Sequence, residues 1–112
     1  MPIHYMKLSQ QPFEKIVNGK KIIESRLFDE KRQSINIGDC IEFSQDNDPS
    51  KTISTQVIAL YRYPTFKELF SDFPAEYFGG ISKDFLVNEI IQFYSEEDQS
   101  KYGVLGIKIK LS

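Results

Sequence analysis

The segment GKKIIESRLF, residues 19–28, combines a strand pattern with the densest group of charged side chains in the sequence. Its isoleucines and its alternation favour extended backbone, in which neighbouring side chains point to opposite faces. Glu24 and Arg26 therefore share one face, whereas Ser25 is predicted to point to the other. Lys21 stands at the first position of the predicted strand, where the preceding turn can direct it toward the other two charges.

Three charged side chains that converge at the start of a strand can bind a ligand or only one another. Lys21 and Arg26 offer hydrogen-bond donors and Glu24 offers acceptors, which suits a phosphate, a base edge or a polarised carbonyl. The alternative is an ordinary surface ion pair, which stabilises a protein by about 0–1 kcal/mol. Spacing alone leaves both interpretations open.

The sequence around this segment predicts about five strands. Residues that are β-branched, aromatic or alternating in polarity mark strands at 4–8, 21–28, 40–43, 52–63 and 104–111. The segment QDNDPSK, residues 45–51, is rich in turn-forming residues and predicts a loop between two of these strands.

Helices are predicted between the strands. Ser9 is a candidate N-cap for a helix whose apolar stripe is Phe13, Ile16 and Val17. Further helical segments are predicted at 65–70, 82–93 and 95–103. The apolar set of the segment 82–93 is Phe85, Leu86, Ile90 and Phe93.

The order of these elements favours an α+β fold. Strands and helices do not alternate as they do in a parallel βαβ protein. A small mixed β-barrel or sheet of about five strands, with helices packed outside, fits better. A chain of 112 residues is expected to form a single domain over residues 1–112, because this length buries roughly two-thirds of the unfolded surface.

Composition argues against several kinds of site. One cysteine, Cys40, cannot form an internal disulfide, so the cytoplasm is the expected location. One histidine, His4, and one cysteine cannot supply the usual zinc site or most histidine triads. The sequence has no apolar run of roughly 18 residues, and its first ten residues lack the apolar core of a signal peptide. We therefore expect no metal, no cofactor and no membrane partner.

The charged residues are unevenly distributed. Residues 1–32 hold seven Lys or Arg against four Asp or Glu, residues 33–112 hold seven against twelve, and the net charge is −2. A basic field over the whole surface, which long nucleic acids require, is not expected. A local basic patch in the first third stays open, with the candidates Lys15, Lys20, Lys21, Arg26, Lys31 and Arg32. Nearby carboxylates offer the alternative of an ordinary solvated surface.

The central segment has the form G-x-K-x-x-E-x-R, and it resembles the hallmark motif of the ASCH domain family, a branch of the PUA-like superfamily. Other parts of the chain are similar to the family in the same order. They are PFEKIVNGK at 12–20, DEKR at 29–32, GDCIEF at 38–43, YSEE at 94–97 and KYGVLGI at 101–107. The resemblance covers about residues 6–111.

The resemblance implies a small PUA-like β-barrel that binds RNA in a cleft between the barrel and the helix before the motif. On this basis Lys21, Glu24 and Arg26 would line the cleft, with Lys20 and Arg32 at its rim. Lys and Arg neutralise phosphates, and a carboxylate can accept from an exocyclic amine such as that of cytosine. The ligand is expected to be RNA, a short RNA element or a nucleoside-like molecule.

Aromatic side chains are a second means of holding unpaired bases, which stack on them. Tyr77 and Phe78 lie beside two glycines in the loop 73–80 and are the predicted stacking residues. Other aromatic residues, such as Phe66 and Phe70, have the helical spacing of core residues.

One branch of the family implies a catalytic alternative. Small bacterial proteins of similar size and motif are amidohydrolases that deacetylate acetylcytidine, using a Lys, a Thr and a distant Glu. Lys21 matches the Lys, Glu24 stands at the position of the Thr, and Glu76 is the nearest match to the distant Glu. Glu24 would then have to activate a water while Lys21 polarises the carbonyl.

A third alternative is a protein-interaction module without a nucleotide ligand. Such a module would present a large exposed apolar patch and a cleft that binds no nucleotide.

Overall fold

A computed structural model describes residues 2–112. Within this part of the chain five strands form one sheet: β1 (Ile3–Leu8), β2 (Ile23–Leu27), β3 (Cys40–Gln45), β4 (Asp48–Tyr63) and β5 (Val104–Leu111). The same residues form four α-helices: α1 (Gln10–Val17), α2 (Phe66–Ser71), α3 (Lys83–Ile90) and α4 (Glu96–Tyr102). Short 3-10 helices at Arg32–Ser34 and Ala75–Phe78 lie in the connections.

The sheet is a curled half-barrel with the strand order β1-β3-β4-β5-β2. Strand β1 runs parallel to β3, and the other neighbouring pairs are antiparallel. The register of β4 against β5 shifts between Val57 and Ala59, and a bulge of this kind bends a strand. The two edges of the half-barrel are β1 and β2. The predicted α+β class, with about five strands and flanking helices, is confirmed.

One core cluster joins α1 to the sheet. Phe13 and Ile16 of α1 are buried among apolar residues of β1, β3, β4 and β5, which include Met6, Leu8, Ile41, Phe43, Val57, Leu105 and Ile107. Val17 was predicted to belong to the same stripe, but it is exposed because it is the last residue of the helix.

A second core cluster packs α2 and α3 against β2 and β5. Its fully buried members include Ile23, Phe66, Leu69 and Val104. Because Leu105 and Ile107 belong to the first cluster and Val104 to the second, β5 is covered on both faces. The side chain of Gln99 in α4 accepts a hydrogen bond of 3.0 Å from the backbone N–H of Phe66, which ties α4 to the start of α2.

The predicted loop at residues 45–51 is wrong. Strand β3 continues to Gln45 and β4 begins at Asp48, so the connection is a two-residue turn at Asp46 and Asn47. Turn-forming residues lie at its centre, as expected, but Ser50 and Lys51 are extended in the long strand. Strand pairing across a tight turn overrides the local preferences of these polar residues.

The predicted helix at 82–93 is shorter in the structure, and its apolar set is only partly buried. Helix α3 ends at Ile90. Of the four apolar residues of the segment, Phe85, Leu86, Ile90 and Phe93, only Leu86 is buried. Phe85 is 38% exposed and Phe93 is 72% exposed. Helical spacing identifies an apolar face, but it does not say whether protein or a cleft lies against that face. Among residues 2–112, no helix is both long enough and apolar enough to cross a membrane.

Gly106 in β5 allows α2 to approach the sheet closely. A Cβ atom built on Gly106 would lie 2.9 Å from Leu69 Cδ1. We expect Gly106→Ala to lower the free energy of unfolding by about 1–3 kcal/mol through overpacking. Urea denaturation measures this, and the double variant Gly106→Ala/Leu69→Val should be less destabilised than the sum of its parts. Strict additivity of the two substitutions would contradict the contact.

Candidate functional site

A cleft of about 540 Å³ lies at the open seam between the two edge strands of the half-barrel. Lys7 and Leu8 at the end of β1 lie on one side of the seam, and Glu24, Ser25 and Arg26 of β2 lie on the other. Helices α1 and α3 contribute further lining residues. The volume falls in the range of about 300–1,000 Å³ that is usual for small-molecule sites.

The floor of the cleft is a buried network of three charged side chains. Glu24 is only 3% exposed. Its Oε1 lies 2.8 Å from the Nζ of Lys21, and its Oε2 lies 2.8 Å from both the Nε and the Nη2 of Arg26. The side chains of Lys21 and Arg26 are themselves 12% and 14% exposed, so the surface-ion-pair interpretation does not describe this group.

The two cations keep Glu24 ionised. Burial by itself would raise the pKa of Glu24, but Lys21 and Arg26 outweigh it and lower the pKa to about 2. Burial likewise acts to lower the pKa of Arg26, and Glu24 together with Tyr94 outweighs it and raises that pKa. Two positive charges and one negative charge are therefore present at neutral pH.

A tight turn sets the position of Lys21. The backbone N–H groups of Lys20 and Lys21 both donate to the carbonyl of Lys15, at 2.9 and 3.0 Å, so the chain leaves α1 through a compact loop. Gly19 within this loop has φ +79°, a left-handed conformation that favours glycine. The backbone N–H of Ile22 then donates to the carbonyl of Tyr77 at 2.9 Å. Lys21 is thereby held just before β2, beside Glu24.

Two side chains brace the cleft by bonding to backbone carbonyls across it. The Nη2 of Arg26 donates to the carbonyl of Lys7 at 3.0 Å, which links the two edge strands. The Nζ of Lys15 in α1 donates to the carbonyl of Gly79 at 2.6 Å, which links α1 to the segment before α3.

The wall opposite α1 is apolar and aromatic. It is formed by α3 and the residues that follow it, namely Phe85, Leu86, Ile90, Phe93 and Tyr94, with Phe70 and Phe78 deeper in the protein. The Tyr94 ring is stacked on Phe66 at a centroid distance of 5.4 Å, so its position is fixed by the second core cluster. The cleft therefore combines a charged floor with a wall on which a flat ring can stack.

The structure brings together Lys21, Glu24 and Arg26, as the resemblance implied. It does not bring Lys20 or Arg32 to the cleft. Lys20 is exposed and is not among the residues that line the cleft, while Arg32 pairs with Asp29 at 3.1 Å. Lys20 lies in the bend that follows α1, whereas Lys21 lies at the entry to β2 beside Glu24.

The other predicted site residues are also distributed differently. Glu76 and Tyr77 are exposed in the short 3-10 helix, and neither is among the residues that line the cleft. Phe78 reaches the cleft, but it is 4% exposed and packs edge-on against Phe70 at 4.9 Å. Phe78 is therefore a core residue beneath the site and offers no open face to a base.

Sequence reasoning missed the places of Ser25 and of the aromatic wall, and it assigned Lys15 only to a basic patch and not to the cleft. Ser25 lines the same cleft as its neighbours, because β2 is an edge strand and the cleft runs along its unpaired edge. Lys15 reaches the cleft from α1, and Phe93 and Tyr94 supply the aromatic wall. The apolar set of segment 82–93 was the available signal for that wall. Within residues 2–112, no three His, Cys, Asp or Glu side chains are grouped to hold a metal ion.

The family model for the ASCH domain matches residues 6–112. Because this match spans nearly the entire chain, the chain belongs to the ASCH domain family. The small β-barrel with flanking helices that the resemblance implied is present as a curled half-barrel of five strands with helices around it. No curated protein matches the sequence.

Solved structures agree with this assignment. The hypothetical protein PH0355 is 35% identical, with a TM-score of 0.87 over 99% of this chain and 100% of its own. Protein PF0455 from Pyrococcus furiosus is 33% identical, with a TM-score of 0.77 over 98% and 97% of the two chains. The ASCH domain from Lactobacillus crispatus is 12% identical, with a TM-score of 0.67 over 96% and 79%, and it shares the fold.

The lowered pKa of Glu24 predicts a contribution to acid unfolding. Ionised Glu24 is favoured in the folded state, so its contribution is fully present above about pH 4.5 and is lost as the pH falls toward 2. A shift of this size corresponds to about 3 kcal/mol. Urea unfolding of the wild type and Glu24→Gln between pH 7 and pH 2 should give curves that converge at the acidic end. Parallel curves over that range would contradict an ionised, paired Glu24.

Proposed function

We propose that this ASCH domain binds RNA by accommodating an unpaired nucleotide, or a nucleoside-like molecule, in the cleft around Lys21, Glu24 and Arg26. The observation that carries the proposal is the buried charged network on the floor of a cleft with an aromatic wall. A nucleobase needs polar groups at its edge and an apolar surface at its face, and this cleft offers both. We further propose that residues 1–112 act as a single domain in the cytoplasm.

The charge of the cleft favours a short RNA contact. Four cationic side chains line it, namely Lys7, Lys15, Lys21 and Arg26, against the acidic side chains of Glu24, Asp46 and Glu89. This small local excess can attract one or a few phosphates, each of which adds to the salt dependence of binding. The net charge of −2 opposes wrapping of a long nucleic acid around the domain.

The aromatic wall supplies stacking where the loop 73–80 does not. Phe93 is 72% exposed and Tyr94 is held against the core, so a base can lie against a ring from one side. Stacking on an aromatic side chain is worth about 1–3 kcal/mol per base. A protein-interaction module would also need an exposed apolar surface of this kind. Because these residues form the wall of a cleft, we favour ligand binding over that alternative.

The amidohydrolase alternative receives less support. Its proposed base, Glu24, is a weak base because its pKa is lowered to about 2. Glu76, the match to the distant Glu of that branch, lies outside the lining set. We therefore favour binding without catalysis.

Two adjacent lysines provide a matched test of RNA binding. Lys21→Ala removes a cation from the cleft floor, whereas Lys20→Ala removes an exposed cation outside the cleft. With a fluorescent single-stranded RNA of random sequence, about ten nucleotides long, we expect Lys21→Ala to weaken binding about tenfold. Lys20→Ala should bind within about twofold of wild type, since an exposed lysine that does not line the cleft makes at most a weak screened contribution.

Fluorescence anisotropy at two salt concentrations measures these affinities, and thermal denaturation of each variant checks that it is folded. Equal weakening by the two substitutions would indicate general electrostatics in place of a cleft. Normal binding by a folded Lys21→Ala protein would overturn the proposed site.

The catalytic alternative is tested separately by incubating the protein with acetylcytidine and separating the products by chromatography. We expect no cytidine above the level of a protein-free control, because Glu24 is ionised and saturated by cations. Release of cytidine by wild type, absent in Lys21→Ala, would replace the binding proposal with an amidohydrolase.

A further inference from the structure

We infer that the ligand is recognised at the cleft floor through its hydrogen-bond acceptors, and that Glu24 is a positioning residue that makes no contact with it. The inference rests on the proposed function, because it takes the ligand to be a nucleobase. The class that it names is a base edge with two neighbouring acceptors and no N–H between them.

The acceptor sites of Glu24 are already occupied by the protein. Oε1 lies 2.8 Å from Lys21 Nζ and 3.2 Å from the backbone N–H of Ser25. Oε2 lies 2.8 Å from the Nε and the Nη2 of Arg26. A carboxylate has about four lone-pair sites. An amine on the ligand would have to displace one of these donors, which would leave a buried polar group unsatisfied.

Donors, by contrast, remain available. The only salt-bridge partner of Lys21 among residues 2–112 is Glu24, which uses one of its N–H groups. Arg26 has five N–H groups, and four of them serve the protein: Nε and one N–H of Nη2 face Glu24, the other N–H of Nη2 faces the carbonyl of Lys7, and one more faces the Tyr94 side chain. One N–H of its guanidinium is therefore left for a ligand. Both side chains line the cleft. The polar floor therefore offers N–H donors to a ligand.

The arrangement of these donors selects the kind of edge. Lys21 contacts one oxygen of Glu24 and Arg26 contacts the other, so the two cations lie side by side. A planar ligand group in the cleft that has two neighbouring acceptors can accept one hydrogen bond from each cation, as the two oxygens of the Glu24 carboxylate do within the protein. The O2 and N3 of cytosine and the O6 and N7 of guanine are such pairs. Uracil has an N–H between its two carbonyl groups, and this hydrogen would point toward the cations.

The test is a set of NMR titrations of the ¹⁵N-labelled wild-type protein with five nucleosides. Three of them have the same ring size. Compared with cytidine, pyrimidin-2-one riboside lacks the exocyclic amine, and uridine carries an N–H at ring position N3. Guanosine and 7-deazaguanosine differ only in the N7 acceptor. If the cleft binds pyrimidines, we expect cytidine and pyrimidin-2-one riboside to bind equally well, and both about tenfold tighter than uridine. If it binds purines, we expect guanosine to bind about tenfold tighter than 7-deazaguanosine.

Three outcomes would overturn the inference. Clearly tighter binding of cytidine than of pyrimidin-2-one riboside would mean that the amine is read, as direct contact with Glu24 would require. The inference also fails if cytidine binds as tightly as uridine and guanosine binds as tightly as 7-deazaguanosine. It fails likewise if no nucleoside changes the chemical shifts of the residues that line the cleft. Either result would mean that the protein does not recognise the ligand's acceptors.

A spectroscopic measurement separates positioning by Glu24 from general support of the fold. On titration with the preferred nucleoside, the NMR signals of the Arg26 Nη groups should shift. The signal of Arg26 Nε should not shift, because Nε stays hydrogen-bonded to Glu24. A shift of the Nε signal on titration would contradict this division of donors. The random-sequence RNA keeps the two proposals distinguishable. Binding of the RNA without acceptor selectivity among the nucleosides refutes only the inference, whereas absence of binding by both the RNA and the nucleosides refutes the proposed function.

Discussion

A carboxylate buried between two cations determines the geometry of this domain's cleft. Glu24 loses nearly all contact with water, and an isolated ionised group would not tolerate such burial. Lys21 and Arg26 compensate it, and in return the carboxylate fixes two long side chains that would otherwise be flexible. A buried ion pair of this kind often adds no net stability over packed apolar residues of the same volume. Its clear effect is to hold two positive charges in a defined place.

The same network connects the site to the architecture. The half-barrel leaves two edge strands, and an exposed edge is normally a liability because it can pair with another chain. Here Arg26 reaches from β2 to the carbonyl of Lys7 in β1, and Lys31 reaches the carbonyl of Tyr5 at 3.4 Å. These two side chains thus bond to carbonyl groups on the free edge of β1, to which a further strand would otherwise pair. The gap that remains between the edges is the cleft, so the fold itself creates the space for a ligand.

Much of this arrangement follows from local sequence patterns. Alternation in the segment 19–28 predicted that Glu24 and Arg26 share a face, and the helix predicted at 65–70 is present as α2. The wall of the cleft was not predictable in this way, because the apolar face of α3 has the same spacing whether it meets a core or a cavity. The inclusion of Ser25 depends on β2 being an edge strand, which is a property of the sheet order.

The placement of Glu76, Tyr77 and Phe78 depends on tertiary packing in a similar manner. The short 3-10 helix that carries them is anchored on both sides, through the contact between Phe78 and Phe70 and the hydrogen bond from Ile22 to Tyr77. These contacts turn one aromatic ring inward and leave its neighbours outside. Neither result follows from composition, because adjacent aromatic residues beside glycines are equally compatible with an open loop.

The pairing of β2 also has a consequence for the order of events during protein synthesis. The only strand partner of β2 among the described residues is β5, which lies about eighty positions further along the chain. Strands β3 and β4 follow one another directly, β1 pairs with β3, and all three precede β5 along the chain, so they can pair before β5 is made. The segment that carries Lys21, Glu24 and Arg26 has to wait for residues 104–111. A nascent chain can thus possess half of its sheet while its ligand site does not yet exist.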